Sequence, residues 1–163
     1  MNNSKPIDYI ERTRAQYAAL GYPPYSWVYS ASEPALAAVN KPLSECKVGL
    51  IASGGIYFAG QIAFHFKDDL SYREVAYDTP TQALRATHFA YDLSDARADP
   101  NVVFPAQALR GAVSEGIIGS LNTHAYTFMG GIYSSRKVEQ ILAPALAERV
   151  HKDEVDIVLL VPV

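Results

Sequence analysis

This chain has one cysteine, which excludes an intrachain disulfide. Nothing in it therefore calls for an oxidising compartment. It also lacks a basic excess: 14 Lys+Arg stand against 17 Asp+Glu, a formal net charge of -3. Duplex nucleic acid selects for clustered Lys and Arg, so it is not the expected partner. Long apolar runs are missing too. The longest, residues 157–163, falls far short of the roughly 20 residues that span a bilayer. The first five residues, MNNSK, are too polar to open a signal peptide. These absences predict a cytoplasmic protein with no membrane partner. There is no internal repeat, no GxGxxG, no P-loop and no HExxH. His65, His124 and His151 show no ligand-pair spacing, so neither a metal nor a cofactor is expected.

What is present suits a folded protein. Hydrophobic residues make up 49% and charged residues 19% of 163 positions, enough for a core and too apolar for a disordered chain. At about 100–200 residues per domain, that length predicts one domain over 1–163. Its opening part, 1–46, reads as an N-terminal helix and an irregular covering segment. Ser4 is placed to cap that helix, with Pro6 and Asp8 in its first turn. Ile10, Thr13, Tyr17 and Leu20 share one face, and Gly21 with Pro23-Pro24 stops it.

Residues 47–52 (KVGLIA) read as a strand apolar on both faces, which points to a parallel sheet covered by helices. Residues 83–91 and 125–129 are further strand candidates. Pro105 starts a helix that ends at Gly116, with Leu109, Ala112 and Val113 on one face. Ser134 or Ser135 caps the longest helix, running to about Lys152, where Pro144 predicts a kink or two abutting helices. Residues 155–163 (VDIVLLVPV) form the most apolar strand. Alternating strands and helices predict an α/β fold, doubly wound, with a mainly parallel sheet and helices on both faces. A central strand normally feeds a crossover and another strand, so the sheet is expected to be incomplete at the C-terminus.

In such folds ligands sit beyond the carboxyl ends of the strands. Ser53-Gly54-Gly55 follows the first strand. Its backbone N–H groups could cradle an anion, or it could simply be a tight turn. His88 and Asp92, with Tyr91 between them, suit an oriented general acid or base, or equally a histidine satisfied in the core. Asp92, Asp95 and Asp99 fit helix caps and Asx turns better than a metal loop. Tyr126, Phe128, Met129, Gly130 and Gly131 precede a helix. The glycine pair there permits close approach of a ligand or close packing of helix on strand. Cys46 beside Lys47 starts a strand, at the end opposite the usual site.

Five segments carry a family resemblance: KVGLIASGGIY (47–57), ATHFAYDLSDARADPNVVFP (86–105), EGIIGSL (115–121), YTFMGGIYS (126–134) and VDIVLLVPV (155–163). Together they resemble the glycine/sarcosine/betaine/D-proline reductase selenoprotein B family, from about residue 5 onward. The resemblance implies a reductase component that cleaves a C–N bond of a small amine or amino acid, with electrons from a thiol donor system. It implies a reactive selenocysteine, or cysteine, directly after the strand resembling VDIVLLVPV. This sequence stops one step short of it. By the same resemblance Ser53, Gly54, Gly55, Tyr91, Met129, Gly130 and Gly131 line a substrate pocket. His88 would supply a proton to the leaving amine, oriented by Asp92.

Two further readings stand beside this one. A non-catalytic small-molecule binding or assembly module could keep the fold without the redox residue. A different enzyme could use His88 and Asp92 on the same scaffold. Apolar surface left uncovered by missing strands predicts a homo-oligomer or a partner reductase subunit. A selenocysteine codon read as a stop would account for the ending, as would truncation, proteolysis or a short paralogue; on the first account, sequencing the natural gene is expected to show UGA at codon 164. A cysteine codon or UAA there would refute that account.

Overall fold

Side chains that alternate between the two faces of a strand must meet two separate cores, and β1 (Lys47–Ala52) does so. Leu50 and Ala52 enter one buried cluster, while Ile51 packs against another. The structure, a computed structural model, describes residues 8–163; Ser4 and Pro6, assigned above to the first helical turn, lie outside them. The chain forms two compact units, Met1–Leu36 and Ala37–Val163.

In the first unit, α1 (Tyr9–Ala19) is capped by Asp8, whose carboxylate accepts the Glu11 N–H at 3.0 Å. Asp8 thus precedes the described helix rather than lying in its first turn. On the anticipated face Thr13 and Tyr17 are partly buried, whereas Ile10 and Leu20 are exposed. Gly21 takes the left-handed conformation (φ 72°) that turns the chain out of the helix. Edge-on aromatic contacts then run from Tyr17 to Tyr22 and Tyr25, and from Tyr25 to Trp27 at 4.7 Å between ring centroids.

In the second unit β1 is the central strand. On one side it pairs in parallel with β7 (Ile157–Val161), from Val48–Ile157 to Ala52–Val161. On its other side lie β5 (Ser120–Leu121) and then β6 (His124–Phe128), both parallel to it. An outer strand, β3 (Tyr72–Ala76), runs antiparallel to β6. The result is the mostly parallel α/β sheet expected, with one antiparallel edge. On one face Leu50, Ala52, Val75 and Ala125 pack with Ala96 of α2 (Ser94–Ala98) and Ala106 and Leu109 of α3 (Ala106–Ser114). On the other, Ile51, Tyr126 and Phe128 meet Leu142, Leu146 and Val150.

Two readings of local structure need correction. The candidate strand 83–91 shrinks to β4 (Leu84–Ala86), which pairs with β2 (Ile56–Phe58) in a separate two-stranded antiparallel sheet. Residues 87–91 leave that pairing as an irregular loop. The long helix is capped by Ser134, whose hydroxyl accepts the Lys137 N–H at 3.3 Å. It then runs as α4 (Ser135–Lys137), a π turn (Val138–Leu142) and α5 (Ala143–Lys152). Pro144 has no N–H and its ring would clash with the carbonyl four residues earlier; the widened π turn sits just before it, so two helical pieces abut there as anticipated.

Polar contacts tie the start of the sheet together. Asp153 caps α5, and its Oδ2 accepts from the Tyr126 hydroxyl and from Asn122 Nδ2 (2.8 Å). These donors, Tyr126 foremost, hold its carboxyl below the usual carboxylate range. Lys47 donates Nζ to the Asp153 carbonyl and its backbone N–H to Asp156, both at 2.7 Å. Cys46 is fully buried one residue before β1, its Sγ 3.3 Å from the Pro42 carbonyl oxygen. Asp153→Ala strands two donors of the buried residues Tyr126 and Asn122. It is expected to cost about 1–3 kcal/mol in urea unfolding followed by far-ultraviolet circular dichroism; an unchanged midpoint would refute this role.

Candidate functional site

Three parallel strands end together, and Ser53 joins their ends. Its N–H donates to the Val161 carbonyl at 3.0 Å, its carbonyl accepts the Gly130 N–H at 2.9 Å, and its hydroxyl accepts the Val163 N–H at 2.9 Å. Gly55 continues the stitching, donating to the Phe128 carbonyl (2.9 Å) and accepting the Thr87 N–H (3.0 Å). The loop after β4 is thereby drawn to the carboxyl ends of β1, β6 and β7. Thr127, fully buried, adds a side-chain acceptor for the Ile56 N–H at 3.2 Å.

The glycines here are required by space and conformation. Gly55 has φ 68°, and a Cβ on it would lie 1.9 Å from the Thr87 carbonyl oxygen. A Cβ on Gly131 would lie 2.0 Å from the Phe89 ring and 2.9 Å from Met129 Sδ. The N–H groups of Ser53, Gly55 and Gly130 are already committed to carbonyls, and that of Gly131 lies 3.1 Å from Met129 Sδ. At these four positions the turns offer a ligand closeness of approach more than hydrogen bonds.

Side chains supply the chemistry. His88 is 7% exposed. Its Nδ1 accepts the Ala90 N–H at 3.0 Å, so the proton of the neutral ring resides on Nε2. That nitrogen is buried and has no hydrogen-bond partner among the described residues. Burial holds the imidazole pKa below its ordinary 6.5. The Tyr91 ring lies 4.8 Å away, and its hydroxyl donates to the Gly54 carbonyl at 2.8 Å. Burial raises that phenol's pKa. On the other side His88 stacks on Phe89 (5.9 Å, 21°), which stacks on the exposed Tyr133 (6.0 Å, 24°). The Tyr133 N–H donates to Asp68 at 2.7 Å, tying in the loop before β3.

The structure therefore brings Ser53, Gly54, Gly55, His88, Tyr91, Met129, Gly130 and Gly131 to one end of the sheet. Asp92 follows on the same loop, where its Oδ1 accepts the Ser94 N–H (2.9 Å) and hydroxyl (2.7 Å). Asp99 makes the same kind of turn with Asn101. Cys46 sits at the opposite end of β1, away from these residues. Sequence reasoning missed Phe89, Tyr133 and Thr127. Phe89 lies inside the 86–105 segment that carries the resemblance, so it was a visible signal; Thr127 sits beside Tyr126 in β6, and nothing local singles it out.

Because the folded pKa of His88 lies below 6.5, the unfolded chain binds this proton first as pH falls. The stability tied to His88 is complete above pH 6.5 and is lost as pH drops through the folded value. Urea midpoints of the wild type are expected to fall across that window more steeply than those of His88→Phe. Parallel pH profiles would refute the buried neutral state.

Comparison of the sequence with known proteins matches it to one family. The family model described as glycine/sarcosine/betaine reductase selenoprotein B matches residues 30–163. The D-proline reductase subunit gamma of Acetoanaerobium sticklandii is 29% identical over 127 residues, covering 78% of this chain and 52% of its own length. The glycine reductase complex component B subunit gamma of Symbiobacterium thermophilum is 31% identical over 126 residues, covering 74% of this chain and 29% of its own length. The chain thus spans about half the length of the first relative and under a third of the second. No solved structure matches it.

Proposed function

The chain belongs to the glycine/sarcosine/betaine reductase selenoprotein B family, and from that premise we propose that it is a component of a reductase acting on a small amine or amino acid. The reaction replaces a C–N bond by C–H and releases the amine, with electrons and protons drawn from a thiol donor system. The observation that carries this reading is the convergence of the Ser53 turn, the Met129-Gly130-Gly131 turn and the His88–Tyr91 loop around the end of β7. By resemblance the reactive selenol or thiol belongs beside that strand end. It is supplied from outside these 163 residues, whose one thiol, Cys46, is buried at the far end of β1.

Ser53, Gly54, Gly55, Tyr91, Met129, Gly130 and Gly131 are the proposed pocket, with His88 and Asp92 as its catalytic groups. His88 meets the substrate, and Asp92 shapes the loop that carries it through its bonds to Ser94. The names of the relatives, a subunit and a complex component subunit, support a partner subunit for this chain. Among the described residues β7 pairs only with β1, and Leu160 is 66% exposed. That apolar edge suits addition of a partner strand or a second copy. No helix among the described residues is long and apolar enough to cross a membrane, and we place the protein in the cytoplasm.

The place of Cys46 also favours a second reading: a binding or assembly module with no redox residue of its own. Reconstitution separates the two. With its partner subunits and a dithiol donor, the wild-type chain is expected to support reduction of glycine or D-proline, and His88→Ala to lower that turnover about 100-fold or more. A reconstituted complex whose turnover does not require this chain would leave only the binding module, and normal turnover with His88→Ala would remove the catalytic assignment.

A further inference from the structure

We propose that His88 binds the carboxylate of an amino-acid substrate by donating one hydrogen bond from Nε2. This deepens the reading above and rests on it. The argument is one of donor and acceptor polarity. The backbone N–H of Ala90 lies 3.0 Å from Nδ1 and can only donate, so Nδ1 must offer its lone pair. In the neutral ring the proton is then on Nε2, which can only donate. That atom is buried, and no acceptor reaches it among the described residues. Folded proteins keep few buried donors without an acceptor, and each needs an explanation; at the end of a parallel sheet, a bound acceptor is one.

The polarity selects which end of an amino acid fits. An ammonium group carries only donors and cannot accept from Nε2–H, whereas a carboxylate oxygen can, and hydrogen bonds to a charged acceptor are the stronger kind. The ring is also held in place for this task. Phe89 stacks on it at 5.9 Å, and Tyr91 lies against it at 4.8 Å while anchored to the Gly54 carbonyl. The site is at the carboxyl ends of parallel strands, where ligands of such sheets bind. With the carboxylate taken by Nε2–H, the amine end of the substrate is left for the redox group. His88 in this role touches the substrate and keeps its own proton, in place of the proton donation the resemblance implies, and the protons of the reaction come from the thiol donor system.

The test is nitrogen-15 NMR of the histidine rings in the full chain, with glycine and D-proline as titrants and methylamine as the control lacking a carboxylate. The expected result is an Nε2–H tautomer for His88 whose resonance moves with either amino acid and stays still with methylamine. His88→Phe keeps an aromatic ring in the stack and is expected to weaken amino-acid binding about tenfold or more. His88→Gln, which restores a donor near Nε2, is expected to stay within about threefold of the wild type. An Nδ1–H tautomer, binding that leaves the His88 resonance unmoved, or equal affinity in His88→Phe would each overturn the assignment while leaving the family reading intact. A wild-type chain that binds neither amino acid would overturn the pocket reading itself, and this assignment with it.

Discussion

Three hydrogen bonds at Ser53 set the geometry of the whole strand-end region. One residue uses its N–H, its carbonyl and its hydroxyl to hold β7, the turn after β6 and the segment beyond β7. Parallel strands have no hairpins to fix their ends, since each is reached by a crossover. A polar residue at the end of the central strand does that work here. Gly55 extends it to a fourth segment, Thr87, in a conformation that a side chain would block. The strand-end region is therefore built from backbone closure, and its side chains are additions to a frame that is already fixed.

The two ends of the sheet have different chemistry. At the starting end, Lys41, Lys47, Asp153 and Asp156 are charged and mutually bonded, so depressed carboxylate pKa values there report structure. At the finishing end, the groups around His88 are neutral: an imidazole, a phenol, a thioether and stacked rings. Burial raises the Tyr91 pKa and lowers that of His88, so both groups are pushed toward the uncharged form.

The strands that were legible were those with an apolar run long enough to mark them. β1 and β7 are unbroken apolar runs, and no other element type explains them at that length. β3, with the sequence YREVA, buries only Val75 fully, because its partner covers just one edge and one face. Its polarity leaves no apolar run to mark it as a strand. The overlong 83–91 strand arose because Phe89 and Tyr91 are apolar for a different reason, packing around His88 in an irregular loop. At the site, residue types were readable and hydrogen-bond allegiance was not. Whether the N–H of Gly55 faces a ligand or the Phe128 carbonyl depends on a strand more than seventy residues away, and no local pattern encodes that.

The placement of Trp27 has a consequence for anyone who follows this protein by light. It is the chain's one tryptophan, and it belongs to the Met1–Leu36 unit, with Tyr25 4.7 Å away. Indole emission is therefore a private signal of that unit. The sheet and its strand ends carry tyrosines such as Tyr91, Tyr126 and Tyr133 and no tryptophan. An indole melting curve is thus an account of the first unit alone, whereas a tyrosine signal, with Tyr17, Tyr22 and Tyr25 in that same unit, sums over both.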